Sequence, residues 1–267
     1  MSTWQEFEFV CCNYLNCRYG DFARFENKGG SDSTVADIKA TLNNGDSFYI
    51  EVKEPLAQSG QFVLLADKTN SVFTFSPGNK SEITSEVSLI IDHMNNDFDR
   101  YSNAGTAGQR IDIDQEVFGR WIMNSYISKG VRYFITKGRD FIIFPVEKFT
   151  DYFDIACVYR TKKSGSSEPA AKDYQNIIKI ISNKCPHAEI HVDNSTGKSR
   201  LYVYNADNLS GKSYSIGNYT YLLKAVRKNI LEIRRLSNTY NMNVIFNISL
   251  KKAQNAEDLN TFISDIR

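Results

Sequence analysis

At 267 residues the chain is long enough to bury a large core without covalent staples, as one large domain or a core with an appended lobe. No apolar run approaches the ~20 residues a membrane helix needs, and the opening Met-Ser-Thr-Trp-Gln-Glu has the wrong charge and polarity for a secretory leader. A net charge of +1 excludes a global pull toward nucleic acid, and five cysteines without a Cys-x-x-Cys pair predict a reduced, cytoplasmic protein.

Residues 4–15 carry Trp4, Phe7, Cys11, Tyr14 and Leu15 on one helical face, which predicts a first helix. Glu8 lies at the edge of that stripe, about 70° from its centre by helix geometry. It reads either as a surface residue or as an acid leaning over the following elements. Asp21–Glu26 reads as a short strand and Gly29–Ser33 as a loop.

Val35–Leu42 and Ser47–Lys53 then form a hairpin across Asn43-Asn44-Gly45-Asp46. Strand alternation gathers Ala36, Ile38, Ala40, Phe48, Ile50 and Val52 on one face, and Asp37, Lys39, Tyr49, Glu51 and Lys53 on the other. A two-residue Asn44-Gly45 loop would pair Asp37 with Val52 and mix a carboxylate into the apolar face. A three-residue loop with Gly45 left-handed pairs Leu42 with Asp46 and Asp37 with Glu51, which keeps the faces clean and is the expected register. Directly opposed side chains have Cβ atoms roughly 5 Å apart. Two carboxylates at that distance repel unless a cation sits between them, and Mg²⁺ with oxygen ligands, the Val52 carbonyl among them, resolves the conflict. Lys53 is placed to bind or deprotonate an attacking water or to steady phosphorane charge. The plain alternative is a hairpin with a solvated charged face, since acid-x-Lys triplets are cheap at 24% charged residues.

Pro55 ends the second strand, and Ala57-Gln58-Ser59-Gly60-Gln61 keeps the amides of Gln58 and Gln61 nearby, to orient Lys53 or a phosphate. Ile83, Val87, Ile90, Ile91, Met94 and Phe98 predict one helix over 82–101. Val117, Phe118, Trp121, Ile122 and Tyr126 predict another over 114–128, and Ser102–Arg110 reads as a mobile loop between them. Strands follow at Val131–Thr136 and Asp140–Pro145. The order predicts an α/β fold, a central mixed sheet flanked by helices over residues 1–150, with 151–267 as a C-terminal extension of the same domain that adds strands.

In that extension Arg160, Lys162 and Lys163 stand with Ser164 and Ser166, a composition suited to phosphate and base-edge contact, with a solvated loop as the alternative. Pro169–Ser182 reads as a helix, Ala188–Asp193 and Arg200–Asn205 as a strand pair, and Tyr219–Leu223, Leu231–Leu236 and Asn243–Leu250 as strands. Lys224, Arg227, Lys228, Arg234 and Arg235 form a second basic cluster. Cys185-x-His187-x-x-x-His191 lacks the second ligand pair of a thiolate metal site.

Asp37, thirteen residues, then Glu51-Val52-Lys53, behind a helix bearing Phe7-Glu8, resembles the PD-(D/E)xK nuclease superfamily and, within it, a type II restriction endonuclease. The stretches from Glu51 to Phe62 and from Glu232 to Phe246 share that look. The core resemblance covers residues 4–146, and Ala36 stands where the family name has its proline. The resemblance implies Mg²⁺-dependent hydrolysis of DNA phosphodiesters, with Asp37 and Glu51 as metal ligands, Lys53 as the catalytic lysine and Glu8 as the helix acid. The expectation is therefore a sequence-specific endonuclease for double-stranded DNA. It is expected to act as a homodimer on a two-fold symmetric target, with Gln58, Gln61, Arg160, Lys162, Lys163, Ser164, Ser166, Arg234, Arg235 and Asn238 at the DNA. A structure-specific or repair nuclease on the same core, or a catalytically inactive DNA-binding module, is the alternative.

Overall fold

Apolar faces in this chain collect into two compact units, the larger running to Thr161 and resuming at Met242, the smaller spanning Lys162–Asn241. The expected single line at residue 150 and the observed changeovers thus differ, because residues 242–267 return to the larger unit. The computed structural model describes residues 4–28, 35–163, 165–194, 199–238 and 240–267. The loop expected at Gly29–Ser33 and the candidate Ser164 lie outside the described residues. No helix among the described residues is long and apolar enough to cross a membrane.

The larger unit begins with helix α1 (Trp4–Tyr19) and strands β1 (Ala23–Asn27), β2 (Ile38–Leu42) and β3 (Ser47–Val52). α1 runs past the expected end at Leu15. Asn16 makes its last turn useful: its amide donates to the Phe25 carbonyl at 2.8 Å and its carbonyl accepts from the Phe25 N–H at 3.1 Å, clipping the helix to β1. β2 and β3 pair in the expected register, Ile38 with Ile50 and Ala40 with Phe48. Gly45 takes φ +92°, and Leu42 N–H donates to the Asp46 carbonyl at 2.8 Å. That turn geometry needs the left-handed region that glycine tolerates.

The chain continues through β4 (Leu56–Asp67), β5 (Val72–Phe75), α2 (Ser85–Asn95), α3 (Phe98–Ser102), β6 (Gln109–Ile111), α4 (Gln115–Ile127), β7 (Val131–Lys137), β8 (Phe141–Pro145) and β9 (Phe153–Lys163). A first sheet has the order β1-β2-β3-β7-β8, with β3 and β7 parallel and the other pairs antiparallel. Cys11 and Leu15 of α1, with Phe262 and Ile266 of the terminal helix region, pack with Ile38, Ile50 and Ile135 in one core layer. Phe118, Trp121 and Ile122 of α4 pack with Phe134 and Phe144 in another. A second sheet, β5-β4-(Tyr240–Leu250)-β9-β6, contributes Phe62, Phe246 and Tyr159 to that second core. This is the mixed, helix-flanked α/β architecture.

Several expectations need correction. The helix over 82–101 breaks into α2 and α3 at Asn96-Asp97, and α2 starts after Thr84, whose hydroxyl accepts the Val87 N–H, leaving Ile83 exposed before the cap. Ser102–Arg110 is not wholly a loop: Gln109 and Arg110 open β6, which pairs with β9. The segment from Tyr159 to Ser167 is no simple loop either, since Tyr159–Lys163 finishes β9 and Ser166–Ser167 pairs with Leu236 and Arg235. The strand β4, the strand Ser213–Ile216 and the terminal helix Ala256–Asp265 were not predicted.

The smaller unit is an antiparallel sheet in the order Glu189–Asp193, Arg200–Tyr204, Ile230–Leu236, Tyr219–Arg227, Ser213–Ile216. Helix Tyr174–Lys184 covers it with Ile177 and Ile181, which meet Leu201, Leu223 and Ile233.

Gly60 in β4 has φ +143°, and a Cβ there would lie 2.5 Å from Cζ3 of Trp121. Gly60→Ala is expected to destabilise the fold by about 2 kcal/mol or more, combining overpacking with a backbone region side chains avoid. Urea denaturation measures it as a lower midpoint at unchanged slope.

Candidate functional site

The hairpin's polar face ends at a cleft of about 760 Å³ whose wall includes Glu8, Asp37, Glu51 and Lys53. Asp37 stands one step before β2, facing Glu51 in the extension of the Ile38–Ile50 pair. Its Oδ2 accepts the Val52 N–H at 2.9 Å, which fixes the carboxyl across the hairpin end. Lys53 follows β3, its N–H bonded to the Ile135 carbonyl at 3.0 Å, and its Nζ reaches Glu51 Oε1 at 2.5 Å. Glu8 comes from α1. It is only 7% exposed, so the reading of it as a surface residue is overturned. Val52 lines an adjoining pocket with the same four residues.

The electrostatics follow from burying three carboxyls together. Burial first, then the charge of Glu51, pushes the Asp37 carboxyl up to about 8, against the pull of Lys53 and the Val52 N–H. The same two causes push Glu8 up to about 7, with Lys53 and a hydrogen bond to Asp37 opposing. Burial works to discharge Lys53, but Glu51, Tyr126 and Asp37 outweigh it and hold the ammonium above the ordinary lysine range. The cluster thus gathers more carboxyls than one lysine can hold ionised, so Asp37 and Glu8 keep their protons more strongly than free acids, a condition a hard cation with oxygen ligands relieves. Among the described residues no three His, Cys, Asp or Glu side chains are already gathered as a metal cluster. Glu51 is turned to Lys53, and Asp37 to the Val52 amide. The donor chemistry fits a divalent ion, with Glu51 Oε2 left to ligate while Oε1 faces Lys53.

Gln58 and Gln61 lie on β4 in the same cleft, joined by a bond from Gln58 Nε2 to Gln61 Oε1 at 3.0 Å. The remaining candidates lie elsewhere in the chain. Arg160 is on β9 of the larger unit, and Lys162 and Lys163 end that strand in the smaller one. Arg234 is committed within the smaller unit: Nη1 pairs with Glu168 at 3.1 Å and Glu232 at 3.0 Å, and Nε donates to Ser166 Oγ at 3.2 Å. Two carboxylates offset its charge, so it reads as a structural cross-link. Arg235 differs. It lies 4.7 Å from the Tyr219 ring, donates to Ser167 Oγ, and lines a surface pocket with Tyr219 and Asn238.

Sequence reading missed other residues that line the cleft: Lys80, Ser125, Tyr126, Ser128 and Lys129. Asn79 pins the turn before Lys80 to β4 by bonds of 2.8 Å to both the Val63 N–H and carbonyl. A polar cluster at the end of α4 was the available signal, but helix periodicity gives no partner for it.

No protein-family model matches the chain, and no curated protein does. Among solved structures, HhaI endonuclease in complex with DNA matches with a TM-score of 0.82 and 39% sequence identity, covering 99% of each chain. At that identity and coverage, on a fold whose hairpin brings two acids and a lysine to one cleft, the chain belongs to the type II restriction endonucleases, in the family of HhaI.

Proposed function

We propose that this chain is a Mg²⁺-dependent endonuclease that cuts both strands of DNA at a specific sequence. The observation that carries the proposal is the gathering of buried Glu8 and Glu51 with half-buried Asp37 and Lys53 at one cleft, in a relative of an endonuclease whose structure contains DNA. Asp37, Glu51 and the Val52 carbonyl would hold the ion, which supplies Lewis-acid stabilisation and a more acidic water. Lys53, charged and paired, is a donor: it stabilises the negative charge that grows on the phosphate oxygens during in-line attack. Glu8 accepts a hydrogen bond from water in the cleft, and Gln58 and Gln61 orient the phosphate. The described residues hold one such cluster per chain, so two cuts take a homodimer or two binding events, and light scattering of the DNA complex reads which. The free thiols favour a reducing compartment such as the cytoplasm.

Plasmid digestion tests the function. Discrete fragments with Mg²⁺ and none with EDTA support it. Cleavage of branched or damaged DNA alone would move the chain to a repair nuclease, and no cleavage of any DNA would remove the proposal.

The DNA contacts are proposed to come from Arg160, Lys162, Lys163, Ser166, Arg235 and Asn238. Arg235→Ala is expected to weaken DNA binding about tenfold and to lower the slope of log affinity against log salt by about 1, as for one lost phosphate contact. Fluorescence anisotropy over a salt series measures both. Arg234→Ala should instead lower the urea midpoint, because it strands Glu168 and Glu232.

A further inference from the structure

Tyr126 is 8% exposed near the C-terminal end of α4 and lines the cleft. The ammonium of Lys53 lies 4.8 Å from its ring centroid, and that of Lys129 lies 4.9 Å from the same centroid. Phe134 meets the ring edge-on at 5.2 Å and 83°, which holds it from the core side. A lysine ammonium on its flexible four-carbon stem is placed only by what grips it. Besides the ring face, Lys53 is gripped by Glu51 at 2.5 Å and met by the Tyr126 hydroxyl. An ion bound to that carboxylate draws on the same negative charge and so weakens its hold on the ammonium. The ring takes no part in ligation, so its attraction for the ammonium survives the change, and in a desolvated site that attraction is strong.

We propose that Tyr126 is the positioning residue for Lys53: its ring keeps the ammonium at the reacting phosphate once Glu51 ligates the ion, and it draws Lys129 into the same cleft as a second cation for the DNA backbone. This rests on the nuclease reading above. It differs from a simple packing role in what it asks of the ring, which is a negative face and not only a shape.

The experiment replaces Tyr126 by phenylalanine and then by phenylalanines bearing one, two and three ring fluorines. These keep the shape while draining charge from the ring face. Single-turnover cleavage rate and the DNA concentration for half-maximal rate are measured for each. Tyr126→Phe removes the hydroxyl contact to Lys53 and keeps the ring, and its rate is the reference for the fluorinated series. The rate should then fall stepwise with each fluorine, to about tenfold at three, and Tyr126→Leu should lose about 10- to 30-fold. The half-maximal DNA concentration should stay within about twofold throughout. If the leucine variant fails to fold, the fluorinated series carries the test alone. A flat series overturns the proposal. So does a loss as large in Tyr126→Phe as in Tyr126→Leu, or one confined to DNA affinity. An unsubstituted chain that cuts no DNA removes the nuclease reading and this proposal together, whereas cleavage with a flat series removes only this one.

Discussion

Glu51→Ala is expected to cut DNA at least about a thousandfold more slowly than the unsubstituted chain, while binding the same duplex within a few-fold. Glu51 has two tasks. It is a proposed ligand of the ion, and it pairs with Lys53 at 2.5 Å. Truncation leaves Asp37 without its opposing carboxylate and Lys53 without its closest anion. Loss of one preorganised electrostatic group in a water-poor site costs about 10²–10³ in rate, and this substitution disturbs two. Lys53→Ala, which spares both carboxylates, should fall less far, by about 10²–10³, and should still bind Mn²⁺. Gel-resolved single-turnover cleavage separates the two variants. A Glu51→Ala protein that cuts within tenfold of normal would remove the acid pair from the mechanism.

The second large effect is on stability. With EDTA present, the folded chain should lose stability as pH rises from about 4 to about 8, and Asp37→Asn should remove most of that loss. The sign follows from where the proton is held. Asp37 keeps it in the fold up to about 8, through burial and the charge of Glu51, whereas the unfolded chain releases it near 3.8. Between those values unfolding releases a proton, so higher pH favours the unfolded state. Glu8, raised from 4.5 to about 7, adds to the slope in the same direction. At about 1.4 kcal/mol for each tenfold difference in proton affinity between the folded and unfolded chain, the loss by pH 8 amounts to about 3 kcal/mol or more. In the Asp37→Asn variant the side-chain amide oxygen still accepts the Val52 N–H, without charge. The variant should therefore be more stable than the parent at pH 8 without metal, and inactive. Urea midpoints at pH 5 and pH 8 measure it, and a parent stability that rises over that interval would contradict this electrostatic origin. Saturating Mg²⁺ should restore the parent and leave the variant unmoved.

The hairpin was legible because its information is local. Asn43-Asn44-Gly45 sets the loop, and alternation sets the faces, so Asp37 comes to Glu51 without knowledge of the rest. α4 was legible for a similar reason: Asp114 caps its start, accepting the Glu116 N–H, and the apolar stripe runs unbroken to Tyr126. Glu8 was not decidable, since helix periodicity gives an angle and not what packs at that angle. β4 escaped because Pro55 and Gly60 look like breakers. Gly60 instead admits Trp121 from α4, a contact distant in sequence. The terminal helix carried a readable signal in Leu259, Phe262, Ile263 and Ile266 behind the Asn255 cap, and its place against Phe25 and Tyr133 still depended on the sheet. The two cations of Tyr126 belong to the same category: Lys129 is three residues away and legible, Lys53 is reached only through the fold. Arg234 pairs with Glu232 two residues away, which is legible, and with Glu168, which only the fold brings near.

We propose that cleavage at this cleft depends on Asp37 and Glu51 holding one divalent ion beside Lys53. Anomalous diffraction from crystals of the chain soaked in Mn²⁺ tests that arrangement most directly. The predicted result is a peak about 2.1 Å from carboxylate oxygens of both Asp37 and Glu51, with the Lys53 ammonium displaced from Glu51 and still over the Tyr126 ring. A site empty at saturating Mn²⁺, or a peak that touches neither carboxylate, would contradict it.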